Sequence, residues 1–295
     1  MQKITRIPLL VLGIVFYTQQ AYSLPWRILH EIADAKTQTE AERAVSNNPD
    51  SLDDQYILAL VYLTHHKNQE ALDIFSILRT KKTSSIEGTW GTAEVLRRFR
   101  DHNKSKELLK TIMETNKEFA PAYITLAYIK YIELDLKETI RLAAHVIDLG
   151  RANVDLSNYV RAHLIVGGAK GMRAYYGGPI AKVIHGLPVK SYLNKAQELQ
   201  PNNPGVYFGL GSYYLLSPGI AGGDLEKAEE YIRKAIDKDP LFADAYVRLA
   251  QVFKRKGNQE KFEEYIQKAL DIDPDNELAN DIQKGLCRFI CVSEP

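Results

Sequence analysis

Cysteine is almost absent from the 295-residue sequence: Cys287 and Cys291, in the C-terminal stretch GLCRFICVSEP, are the only two. Two thiols exclude a multi-disulfide framework, and without a second pair or a nearby histidine they cannot complete a tetrahedral zinc shell. Four residues apart, they share a face if that stretch is helical, so in an oxidising compartment they either bridge or stay as two inert thiols. A charge surplus is missing too. Lys plus Arg number 38 against 37 for Asp plus Glu, a formal +1, which leaves no basic excess to hold a phosphate backbone by counterion release and argues against nucleic acid as a partner. Methionine (3) and tryptophan (2) are scarce, whereas tyrosine numbers 17 and offers large amphipathic contact surface to cores and recognition faces alike. With 45% hydrophobic and 25% charged residues the composition excludes disorder and collagen-like structure.

The first 23 residues read as a segment apart. Lys3 and Arg6 give a positive start, the apolar run IPLLVLGIVFY (Ile7 to Tyr17) is too short to span a bilayer, and Ala21 and Ser23 are small residues where a signal peptidase reads. A cleaved secretory signal, 1–23, is expected, with an uncleaved anchor as the alternative. Its removal takes the formal charge from +1 to −1. The mature chain, 24–295, is then exported, periplasmic or cell envelope-associated, with no membrane span.

Internal repetition organises the remainder. AIDKDP (Ala235 to Pro240) returns as ALDIDP (Ala269 to Pro274) 34 residues later. Between them Tyr246, Leu249, Ala250 and Phe253, then Phe262, Ile266 and Ala269, make two apolar stripes in three- and four-residue steps. The turn RKGN separates them, with Gly257 where a helix C-cap wants it. This 34-residue helix–turn–helix, with small and large residues paired midway and a closing proline, resembles the tetratricopeptide repeat. Looser copies run through Tyr207, Leu210, Gly211, Tyr214 and Ala228, through Tyr123, Leu126, Ala127 and Ala143, and through Leu58, Ala59, Tyr62 and Ala71. A degenerate copy surrounds Trp90, and TEAERAVSNNP reads as a lone second helix. The expected fold is all-α: a right-handed α-solenoid of about six helix–turn–helix repeats, the clearest at 204–240 and 241–274, with a capping helix at about 277–286.

Two intra-repeat turns are enlarged. Pro201 and Pro240 lie 39 residues apart, one repeat plus five, and the excess falls in LSPGIAGGDLEKA at Pro218, Gly222, Gly223 and Asp224. A further insertion of about nine residues spans YYGGPIAKVIHGLP, with Tyr175, Tyr176 and His185. Insertions in a solenoid gather on one edge, which is often functional.

Catalytic chemistry finds no constellation. GGAKG (Gly167 to Gly171) lacks the spacing of a phosphate loop and is better read as close helix packing, while Asp224 stands where a helix N-cap is needed. Asp271, Asp273 and Asp275 lack the glycine and the glutamate of a calcium loop, with Asn276 and Ile282 in their places. Seven scattered histidines make no HExxH pair, so neither metal nor cofactor is expected.

The tetratricopeptide resemblance implies that the first helix of each pair lines a concave groove, putting Tyr56, Leu60, Tyr128, Tyr131, Phe208, Ser212, Leu215, Gln251 and Lys254 on the inner face. Being mostly apolar or aromatic, these positions favour a hydrophobic segment or an apolar ligand; the alternative is burial against neighbouring helices. The turn in YYLLSPGIAGGDLEKAEEYIRKAI is also similar to the T-component of TRAP transporters, although a lipid-attachment cysteine is missing. That likeness implies docking of a solute-binding protein, self-association into a homo-oligomer, or a bound small apolar molecule. The expected function is a non-catalytic exported scaffold that binds a protein partner, with the TRAP-like accessory role as the alternative.

Overall fold

The structure, a computed structural model, describes residues 24–81 and 85–292; the expected signal segment lies outside them. Helices α1 (Trp26–Ala35) and α2 (Gln38–Asn47) precede six pairs. These are α3 (Leu52–Thr64) with α4 (Asn68–Lys81), α5 (Ile86–Arg98) with α6 (His102–Thr115), and α7 (Ala120–Ile132) with α8 (Leu136–Leu149). A one-turn α10 (Pro179–Ala181), continued by a π-helical turn at Lys182–Gly186, separates α9 (Leu156–Tyr176) from its partner α11 (Val189–Leu199). The last pairs are α12 (Pro204–Leu216) with α13 (Leu225–Lys238) and α14 (Ala243–Arg255) with α15 (Gln259–Ile272). Helix α16 (Glu277–Gln283) closes the stack, ending a turn earlier than expected because Gly285 takes a left-handed φ of 64°. No β-strand occurs among the described residues. The α-solenoid of six repeats is the architecture that the periodicity called for.

Four pairs share one turn. Two residues past the first helix, a residue adopts positive φ: His66 (58°), Arg100 (62°), Leu134 (62°) and Gly257 (72°). In three of these turns the next residue is the N-cap of the second helix, where the side chains of Asp101, Asp135 and Asn258 accept backbone N–H groups. Only the last copy uses glycine, which carries no steric penalty there.

Alanines at matching positions, among them Ala59, Ala71, Ala127, Ala143, Ala228, Ala250 and Ala269, are sealed from solvent and let the helices approach. Gly211 serves that role in α12, since a Cβ there would stand 2.6 Å from the Ile232 side chain of α13. Of the glycines expected to tighten packing in α9, Gly167 lies against Tyr192 and Leu193 of α11, whereas Gly168 and Gly171 have ordinary room for a Cβ.

The superhelix also touches itself. His66 Nε2 lies 3.1 Å from Asp239, and Arg100 reaches Asp273 at 2.6 Å and Glu277 at 3.3 Å. Both turn residues meet the aspartate that precedes the repeat proline 173 residues later. Three of the four left-handed positions therefore lack glycine, and two of those carry side chains that close the coil.

Candidate interaction groove and edge

Helix α1 crosses the inner wall at the N-terminal end. It packs on α3 and α9 rather than on α2. His30 Nε2 lies 2.8 Å from the Tyr56 hydroxyl, and its Nδ1 faces Asn158 Nδ2 at 3.4 Å and Asp155 at 4.0 Å. Because an amide nitrogen can only donate, Nδ1 accepts and Nε2 carries the proton that Tyr56 receives. Burial pushes the imidazole below its ordinary 6.5, with the Asp155 carboxylate opposing. Trp26 meets the imidazole edge-on at 5.7 Å and Trp90 lies tilted to it at 5.3 Å, while Phe119 packs edge-on against both indoles at 5.2 and 6.1 Å between centroids. Tyr56 and Leu60 thus belong to this N-terminal core and face no open groove.

A buried polar row follows along α5 and α7. Trp90 Nε1 donates to Thr125, Thr125 donates to Glu94, and Glu94 takes Arg97 at 2.6 Å and Arg98 at 3.0 Å. Burial alone would raise the Glu94 pKa, but Arg97, Arg98 and Arg161 outweigh it and hold the carboxyl well below the usual carboxylate range. The Arg97 guanidinium also lies 4.3 Å over the Tyr128 ring, so Tyr128 is half-buried beneath a cation.

The C-terminal half of the groove holds the chain's own tail. After Gly285 the disulfide Cys287–Cys291 closes a small ring, with left-handed φ at Cys287 and Ile290. Phe289, Ile290 and Val292 are buried, Phe289 stacking on Tyr131 at 6.4 Å. Arg248 donates to the carbonyls of Phe289 and Ile290, both at 3.3 Å, and Gln251 donates to the Ile290 carbonyl at 3.0 Å. The buried Asp281 of α16 accepts Arg288 Nε at 2.8 Å and the Phe289 amide at 3.1 Å. From the other side Tyr176 reaches the Arg288 carbonyl at 2.7 Å. Leu215 joins the cluster that buries Val292.

Of the nine expected groove residues, Tyr131, Leu215 and Gln251 gather around this tail. Phe208 turns instead to Phe242 at 4.9 Å, Lys254 lies over the Phe262 ring, and the Ser212 hydroxyl is buried without a partner. Glu94, Arg248, Asp281 and the tail itself were not foreseen. The apolar letters FICV beyond the capping helix are the one signal that could have found them.

The edge is built by the two enlarged turns. Ser217 to Gly223 curls back so that Tyr213 donates to the Ala221 carbonyl at 2.6 Å and the Gly223 amide donates to Pro218 at 3.0 Å. Gly222 has a φ of 92°, and a Cβ on Gly223 would lie 1.9 Å from the Ser217 carbonyl oxygen. Asp224 caps α13, accepting the amides of Glu226 and Lys227 at 3.1 and 3.0 Å. In the other turn α9 runs on to Tyr175 and Tyr176, both exposed, and the short helix that follows carries His185, whose Nδ1 is unpartnered.

Residues 220–277 match the family model for the tetratricopeptide repeat. No curated protein matches the chain. Among solved structures it is similar to the APC/C hetero-tetramer Cut9–Hcn1 with a TM-score of 0.56 and 15% identity, covering 87% of this chain and 47% of that one. It is likewise similar to a tetratricopeptide repeat protein from Parabacteroides merdae, with a TM-score of 0.52 and 16% identity over 87% and 98% of the two chains. At such identities the likeness speaks for the fold alone. With the repeat matched over 220–277 and the same turn geometry running back to α3, the chain contains tetratricopeptide repeats and has the α-solenoid fold.

Proposed function

We propose that the protein is a non-catalytic, exported scaffold whose inner groove receives an extended apolar segment of a protein partner. The observation that carries this reading is the seating of residues 289–292. Arg248 and Gln251 take main-chain carbonyls, which every peptide offers, while Tyr131 and the α9 and α14 walls take the side chains. Backbone recognition with flanking apolar pockets is how extended segments are bound in general. Export rests on the pattern of residues 1–23, positive start, apolar run and small residues at Ala21 and Ser23.

The test uses the chain ended at Lys284 and a labelled, oxidised peptide of residues 285–292. Saturable binding in fluorescence anisotropy, weakened about tenfold or more by Arg248→Leu through loss of charge-assisted hydrogen bonds, is expected. Absence of binding by a correctly folded truncated chain would sink the reading.

A further inference from the structure

The short helix inserted between α9 and α11 wears its apolar face outward. Ile180, Val183, Ile184 and Leu187 follow the i, i+3, i+4, i+7 spacing of one helical stripe, which ordinarily packs inward. Here Ile180 and Leu187 are each 76% exposed, and Val183 and Ile184 each 58%. The neighbouring loop presents Ile220 fully to solvent. The two turns adjoin: Lys190, at the start of α11, lies 5.9 Å from the Tyr213 ring, and Tyr213 holds the loop through Ala221.

The charge around this face has one sign. Between Asp155 and Glu198 the chain contains no acidic residue, against Arg161, Lys170, Arg173, Lys182, Lys190 and Lys195. Lys170 and Arg173 stand close enough to His185 to depress its basicity after burial has done so. Among the carboxylates of adjoining elements, Asp224 pairs with Lys227 at 3.4 Å, the exposed Glu226 with Lys256 at 2.7 Å and the buried Asp281 with Arg288 at 2.8 Å. An amphipathic helix with an outward apolar stripe and a cationic flank has the chemistry of a segment that lies in the headgroup layer of an anionic bilayer.

We infer that the edge formed by Ile180, Val183, Ile184, Leu187 and Ile220 is a peripheral docking surface for an anionic lipid bilayer, steered by Lys170, Arg173, Lys182 and Lys190. It goes beyond the scaffold reading, because groove and edge use different residues and either can fail alone.

The experiment measures flotation of the full chain with phosphatidylcholine vesicles, with or without phosphatidylglycerol. Parent and variants carry the same residues 1–23, so their difference isolates the edge. Ile180→Asp/Ile184→Asp is expected to lower partitioning onto the anionic vesicles by about tenfold or more, with helical circular dichroism unchanged because both side chains project into solvent. Lys182→Glu/Lys190→Glu gives an independent arm with a loss of about tenfold, confined to anionic vesicles and erased at high salt. In Leu187→Trp the added emission should move to the blue with anionic vesicles only. Equal partitioning of parent and both double variants overturns the inference. So does a blue shift of Leu187→Trp that rises with protein concentration in the absence of vesicles, which would assign the face to a second copy of this chain.

Discussion

Glu94 is 3% exposed and answers two arginines and a threonine at once. Removing its charge leaves Arg97 and Arg98 facing each other on a desolvated wall, so Glu94→Gln should cost about 3 kcal/mol, read from the urea midpoint. An unchanged midpoint would mean that water already screens the pair. His30 gives a pH effect whose sign is fixed by its burial. The folded ring binds a proton less readily than the unfolded chain, so the unfolded state holds more protons just below 6.5 and stability falls as pH drops through that value. His30→Gln should flatten the decline between about pH 7 and pH 5 in urea titrations, leaving a residual slope from His102, His163 and His185, which burial also depresses, opposed by Asp34, whose carboxyl burial raises to about 6. Neither residue was legible as a site. A lone Glu in GTAEVLRR reads as solvated surface, and its threonine partner stands 31 residues away.

At the scale of the element, the turn decides how much of the repeat can be seen. The last copy was legible because Gly257 occupies the left-handed position and two aspartate–proline pairs mark the period. Upstream, His66, Arg100 and Leu134 occupy that position, and no rule of turn composition points to them. Gly257→Ala should therefore destabilise by about 1 kcal/mol through its left-handed φ, while Gly223→Ala should cost more, since its Cβ would lie 1.9 Å from a backbone oxygen. Chemical denaturation of the two variants side by side checks the ranking. The longer connections run between α9 and α11 and between α12 and α13, and Asp224 is the N-cap of α13. The helix inside the longer turn went unread because its apolar stripe, only four residues deep, is indistinguishable in sequence from ordinary core.

Over the whole molecule, stacked repeats ordinarily feel only their neighbours. Here ion pairs link residues 173 apart, and α1 touches α9 through Ser157 and Asp34 at 2.6 Å. These contacts should make unfolding more cooperative than nearest-neighbour stacking predicts. A double-mutant cycle on Arg100 and Asp273 should give a coupling of about 0.2–1 kcal/mol, as for other half-exposed pairs. Zero coupling, with independent melting of the N- and C-terminal repeats, would show that the coil closes without cooperating. The inner face carries buried Glu94, Arg248 and Gln251 beside its apolar side chains, and what fills it was not legible in the sequence. Groove and occupant lie on one chain, up to about 160 residues apart in the sequence, as Tyr131 and Phe289 are.

Self-occupancy also sets a threshold for any incoming segment. A visitor meets the inner wall only in the fraction of molecules whose tail has left, so its apparent dissociation constant is the intrinsic one divided by that fraction. A tail absent about 1% of the time weakens the apparent affinity about a hundredfold without altering a single groove side chain. Buried Asp281, which accepts both Arg288 and the Phe289 amide, then acts as a rheostat. Loosening its grip raises the vacancy, and with it the sensitivity of the protein to scarce partners.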